Sequence, residues 1–207
     1  MQKRVFIIHG WDSSPYDAWI PWLWTELENH DFKVEVPLMP NAQAPEIEIW
    51  VSHLKNLVGD PDEETYFVGH SVGCQAIIRY LESLEEGTKV GGAVFVGGWF
   101  TLSGDAMKTE EEKEVALPWL ETPIDFEKAK RVTTNFAAVL SDNDPYVPLK
   151  DNKEIFQEKF SARVIIEHNK GHFSREDNIT ELPITLDLLL DMVYQKDKLG
   201  VDEETSS

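Results

Sequence analysis

Ser71, Asp144 and His172 have the types and the chain order that nucleophilic acyl chemistry needs. A serine hydroxyl is a poor nucleophile until a neighbouring base takes its proton, and that base must itself be oriented by a third group. Ser71 stands in Gly69-His70-Ser71-Val72-Gly73. Gly-x-Ser-x-Gly between a strand and a helix marks a sharp, strained turn that lifts the serine oxygen above a sheet edge. Chain segments on either side of such a serine come close together, and residues without a Cβ fit there. The helix that follows aims its free N-terminal N–H groups at any negative charge that develops.

Partners for this kind of serine follow in the order Asp or Glu, then His. Asp144 and His172 meet that order, each in a polar loop after an apolar run. Asp144 precedes Pro145, and with Pro148 that turn is stiff enough to hold a carboxylate still. Asp142 is the alternative acid and could instead cap the turn. His168 is the alternative base, but it sits at the end of a strand, whereas His172 follows the flexible Gly171. The spacing of the two histidines would suit a metal only on a helix, which Gly171 opposes. A tetrahedral oxyanion needs two donors, and the backbone N–H groups of Val72 and Trp11 are the candidates. His9, which precedes the elbow, reads as a buried loop staple. Trp11, Trp99, Phe100, Trp119 and Phe173 are the candidate apolar walls of a substrate pocket.

The elements that must position these groups alternate between strand and helix. Val5 to Ile8 is a short apolar run suited to a buried parallel strand, and Phe32 to Val36 alternates and ends at Pro37, as an edge strand would. Thr65 to His70, Val90 to Val96, Asn135 to Leu140 and Arg163 to Glu167 supply four more strands. Helical spacing is predicted over 18–27, 44–58, the stretch after Gly73, 150–160 and 182–194. The pattern implies an α/β fold with a mostly parallel six-stranded sheet in the order 2-1-3-4-5-6, covered on both faces. Ligands in such sheets bind at the carboxyl ends of the strands, where all of the loops named above lie. Residues 99–131 are the least regular and are placed where a cap or lid could be inserted; the acidic run Glu110-Glu111-Glu112 within them reads as a solvated face.

Composition sets the remaining bounds. The 207 residues favour one domain over 1–195, with a charged flexible tail over 196–207. The 19 basic and 38 acidic residues leave a net charge of −19, which argues against nucleic acid or an anionic membrane surface as partner. The single cysteine, Cys74, forbids an internal disulfide and reads as a small buried helix residue. The first apolar run is too short for a signal peptide, and no stretch has the length of a membrane span, so a cytoplasmic protein is expected.

Ile8-His9-Gly10, the tryptophan-rich first helix, Gly-His-Ser-x-Gly, Asp144-Pro145-Tyr146-Val147-Pro148 and Gly171-His172-Phe173 together resemble the small α/β-hydrolases of the YdeN type, which include retinoblastoma-binding protein 9. The similarity runs to about residue 195. It implies a serine hydrolase of the carboxylesterase kind that uses no cofactor or metal, with Ser71, Asp144 and His172 as triad and a small ester or acyl molecule as substrate. The Leu-x-Cys-x-Glu segment needed for a retinoblastoma-protein contact is missing, because Cys74 stands in Val72-Gly73-Cys74-Gln75-Ala76. An amidase or peptidase would use the same machinery. A non-catalytic interaction protein offering its acidic surface to a basic partner is the reading from another class.

Overall fold

The structure, a computed structural model, describes residues 2–204, with side chains from Gln2 to Gln195. Six strands, β1 (Arg4–Ile8), β2 (Lys33–Glu35), β3 (Thr65–His70), β4 (Gly92–Val96), β5 (Phe136–Ser141) and β6 (Arg163–Glu167), form one sheet in the order β2-β1-β3-β4-β5-β6. Every pairing is parallel. Both the strand order and the α/β architecture match the expectation from sequence.

Successive side chains of a strand point to opposite faces, and the chain uses this to build two cores. Phe6, Ile8, Phe67, Phe95 and Ala138 face one side, where they meet α2 (Ile47–Val58), α3 (Val72–Glu82) and α6 (Leu149–Phe160). Val5, Ile7, Val68, Val94 and Val96 face the other, against α1 (Ile20–Asn29) and α7 (Pro183–Glu204). Burial on both faces explains why the central strands read as continuous apolar runs rather than alternating ones. Each fully buried Val, Ile or Phe contributes about 1.5–3 kcal/mol, so the sheet's centre is a rigid platform for the loops at its carboxyl edge.

Several element ends shift by a few residues, and two differences from the sequence reading are larger. Residues 99–131 are not mainly irregular: they hold α4 (Glu110–Glu121) and α5 (Phe126–Val132). Thr109 caps α4 in a reciprocal capping box with Glu112, and the acidic run forms its first turn, where negative charge suits the helix dipole. The closing helix runs on to Glu204, beyond the expected end near Tyr194. Once a helix exists each further residue adds one hydrogen bond, and Gln, Lys and Leu propagate it well. Residues 205–207 of the expected tail, and all side chains from 196 onward, lie outside the described residues. Among the described residues no helix is long and apolar enough to cross a membrane.

Candidate active site

β3 ends at His70 and α3 begins at Val72, so Ser71 alone makes the turn, with φ 54° and ψ −123°. A non-glycine residue in that region costs about 1–3 kcal/mol and persists only when its surroundings hold it. Here Ser71 N–H donates to the Val96 carbonyl at 3.0 Å, and Cys74 N–H donates to the Ser71 carbonyl at 3.0 Å. Gly73 makes the turn possible, since a Cβ there would overlap the Ile8 carbonyl oxygen and lie 2.7 Å from that of His9. Cys74 itself is buried, with its Sγ 3.6 Å from the Val96 carbonyl, and burial pushes its thiol pKa up. It is the inert helix residue expected from sequence.

His172 and Asp144 come together at the neighbouring edge. Nδ1 of His172 lies 2.7 Å from Oδ2 of Asp144, and the two side chains are only 12% and 2% exposed. The other carboxylate oxygen of Asp144 accepts from Tyr146 N–H at 2.9 Å and Val147 N–H at 3.1 Å. A carboxylate held by three donors fixes the imidazole as the Nδ1–H tautomer and leaves Nε2 free to take a proton. The alternative acid, Asp142, does not cap this turn. Its two oxygens receive His168 Nδ1–H at 2.6 Å and Asn169 N–H at 2.9 Å. That His168–Asp142 pair is a surface contact, the histidine side chain being 77% exposed. His168 draws the Asp142 carboxyl below its usual range, and Asp142 in turn raises the His168 pKa.

Several supporting residues escaped the sequence reading. Asn143 Oδ1 accepts from Gly171 N–H at 2.9 Å and Ser141 Oγ accepts from Lys170 N–H at 3.1 Å, tying the histidine loop to the aspartate loop. Asp177 Oδ2 accepts from His172 N–H at 2.9 Å and from Ser174. Ser174-x-x-Asp177 has the short polar spacing of a local side-chain cap, the one sequence signal that could have pointed to it.

His70 is a further such residue. Its Nε2–H donates to the His172 carbonyl at 2.8 Å, its ring lies 5.2 Å from that of His172, and it is buried. Burial first, and the nearby His172 second, push its pKa down to about 4. An unfolded histidine titrates near 6.5, so between these limits it is the unfolded chain that takes up the proton. The contribution of the neutral ring is therefore complete above pH 6.5 and lost as the pH falls through 4, a loss of about 3 kcal/mol. Urea midpoints at pH 7.5 and pH 4.5 should move apart more for wild type than for His70→Gln, whose amide keeps a donor for the His172 carbonyl without a titrating ring. Equal acid sensitivity in the two proteins would refute this assignment.

The loop after β1 lies against the elbow. A Cβ on Gly10 would be 3.1 Å from Ser71 Cβ, so the backbone there passes close to Ser71. His9 is the staple expected of it: fully buried, with Nδ1–H donating to the Gly10 carbonyl at 2.9 Å and Nε2 accepting from Met39 N–H at 2.9 Å. Burial lowers its pKa, in keeping with this neutral form. Asp12 N–H and the Trp11 indole add bonds to the Ala42 and Gln43 carbonyls, both at 2.8 Å. Among the described residues the Trp11 and Val72 N–H groups are not spent on backbone carbonyls, which leaves both available to an oxyanion.

Ser71 and His172 open into a cleft of about 260 Å³, whose walls include Trp11, Tyr146, Asp17 and Arg175. Three of the five proposed aromatic walls are placed elsewhere. Phe173 is fully buried in the core, Trp119 packs edge-on to Trp50 with its indole donating to the Pro45 carbonyl, and Phe100 belongs to a cluster with Phe126, Phe156 and Phe160. Sequence cannot distinguish a pocket aromatic from a core one, because both are large, apolar and close to a loop. Trp99 is 3% exposed and its indole contacts Ser71, while Trp11 alone of the five lines the cleft. Among the described residues, no three His, Cys, Asp or Glu side chains gather as for a metal ion.

Comparison with known proteins identifies the family and the fold. The chain is 32% identical to YdeN of Bacillus subtilis strain 168 over 189 residues, 91% of this chain and 95% of the relative. The crystal structure of the ydeN gene product superposes with a TM-score of 0.84, covering 93% of this chain and all of that one. Serine hydrolase RBBP9 of Rattus norvegicus is 26% identical over 161 residues, 77% of this chain and 80% of its own. Est1E of Butyrivibrio proteoclasticus, at 12% identity and a TM-score of 0.72 over 94% of this chain and 90% of that one, shares the fold. A serine hydrolase family model matches residues 5–191. Nearly the whole chain, elbow and both partner loops included, is therefore covered by these likenesses, and the protein belongs to the serine hydrolase family of α/β-hydrolases.

Proposed function

We propose that this hydrolase cleaves small esters through an acyl-enzyme on Ser71, with His172 as general base and acid and Asp144 as its orienting carboxylate. The observation that carries the reading is the buried 2.7 Å contact between His172 and Asp144 beside a serine in a strained elbow. In the first half-reaction Ser71 Oγ bonds to the substrate carbonyl carbon as its proton passes to His172 Nε2. The carbonyl π pair moves to oxygen, which the N–H groups of Val72 and Trp11 receive. The bond to the leaving group then breaks, and the alcohol departs with the proton from His172. Water repeats the sequence against the acyl-enzyme and returns the hydroxyl of Ser71.

Small size is argued from the cleft, whose volume is below the usual range for drug-sized ligands. Its walls mix polar and apolar groups, with Asp17 and Arg175 3.6 Å apart. A series of p-nitrophenyl esters should show acetate and butyrate turned over readily and decanoate poorly, with p-nitroacetanilide slower than the acetate ester by about a hundredfold or more because an anilide is the worse leaving group. Comparable rates on anilide and ester would move the reading to an amidase. Absence of turnover together with absence of labelling by a fluorophosphonate would remove the catalytic reading and favour the non-catalytic interaction protein.

A further inference from the structure

Trp99 is the residue that the mechanism above leaves unused although it touches the reacting oxygen. Its indole Nε1–H donates to Ser71 Oγ at 3.3 Å in a buried contact. Of the other indoles, those of Trp11, Trp50 and Trp119 give their N–H to the carbonyls of Gln43, Pro40 and Pro45, and those of Trp19 and Trp24 are buried without a partner among the described residues. An indole can only donate, so its partner must be an acceptor lone pair. The segment that carries it is held from two sides. Gln75, 1% exposed on α3, donates to the Trp99 carbonyl at 3.1 Å, and Asn152, fully buried on α6, accepts from Phe100 N–H at 2.6 Å and Thr101 N–H at 3.1 Å. Arg79 in turn donates to Gln75 Oε1 at 3.3 Å.

We infer that Trp99 is a catalytic residue whose indole N–H holds the nucleophile's oxygen, directs its O–H toward His172 and stabilises the charge that grows on that oxygen. The inference rests on the triad reading and adds a donor to it. With one lone pair of Oγ occupied by the indole, rotation of the hydroxyl is restricted. As the proton moves from Oγ to His172 Nε2 and the Oγ–carbon bond forms, Oγ passes through its most negative stage, and a donor aimed at it is worth more there than in the resting enzyme. In deacylation the Oγ–carbon bond breaks, its electron pair returns to Oγ, and His172 hands back the proton, so the same donor assists again. The contact acts on the reacting atom and not on substrate binding, so it should be read in kcat rather than KM.

The test replaces Trp99 in two ways. Trp99→Phe keeps an aromatic ring and removes the donor. Incorporation of 3-benzothienylalanine at position 99 substitutes sulfur for the N–H and keeps the shape of the indole, so a folding defect in the first variant does not obscure the second. For both, turnover of p-nitrophenyl acetate and the rate of fluorophosphonate labelling at Ser71 should fall about ten- to hundredfold with KM changed by less than about twofold. A benzothienyl protein as fast as wild type would overturn the inference while leaving the triad intact, whether or not Trp99→Phe is impaired, because the ring would then serve packing alone. Wild-type protein that fails to label at Ser71 would instead bring down the triad reading, and this inference with it.

Discussion

Ser71→Ala should lower p-nitrophenyl ester turnover about 10⁴-fold or more and abolish labelling by a fluorophosphonate, with the fold retained. The size of the effect follows from the chemistry: without Oγ there is no acyl-enzyme, and only oxyanion binding and proximity remain to assist direct attack by water. The fold should survive because alanine meets the same backbone demand as serine. Ser71 is held at φ 54° by the Val96 and Cys74 bonds of its own main chain, which the substitution leaves in place. The principal structural cost falls on Trp99, whose buried N–H loses its acceptor, and an orphaned buried donor costs about 1–3 kcal/mol. A modest drop in urea midpoint, measured beside the lost activity, is therefore expected. Labelling that persists in the alanine protein would place the reactive group elsewhere and refute the assignment of Ser71.

Legibility in the sequence divides along the kind of physics involved. The strands were readable because burial on both faces of a parallel sheet demands unbroken apolar runs such as Val5 to Ile8, and the order of the sheet followed from handedness rules. The turn at Ser71 and the pairing of Asp144 with His172 were readable because a few residue types in a set chain order suggest them. Helix α4 was obscured by Pro118 inside it and by burial of only Ala116 and Trp119, which leaves almost no periodic face. The signal that was present, Thr109 three residues before Glu112, is local and was outweighed by the charge of the run. Phe100, Trp119 and Phe173 were misplaced for a different reason: whether an aromatic faces a cleft or a core is decided by contacts distant in sequence, such as Trp119 with Pro45. The same holds for His70, Asn143, Asp177 and the Trp99 indole, whose roles exist only once loops from different strands are brought together.

The choice between the two aspartates is where geometry adds most to sequence, and it yields the second large effect. Asp144→Asn should reduce kcat about 10³- to 10⁴-fold, and Asp142→Asn should change it by less than about twofold. Both carboxylates hydrogen-bond a histidine, at 2.7 Å for Asp144 and 2.6 Å for Asp142, so distance alone does not separate them. Burial does. The Asp144 side chain is 2% exposed and its partner lines the cleft, whereas the Asp142 pair stands in solvent, where water screens it and replaces it readily. In Asp144→Asn one side-chain atom must still accept from Tyr146 and Val147, so the amide nitrogen is directed at His172. That nitrogen is a donor, and it forces the imidazole to present an unprotonated Nδ1 and to carry its proton on Nε2, the nitrogen that the proposed mechanism needs as acceptor. Such a ring cannot accept the serine proton, which is why the loss should appear in kcat and in the labelling rate together, with little change in KM. At Asp142 the same exchange disturbs only a surface contact with His168 and the Asn169 N–H, so the expected cost is a small loss of loop stability. Equal losses from the two substitutions would mean that the β5–β6 loops act as one unit held by either aspartate, and the assignment of Asp144 as the orienting carboxylate would fall.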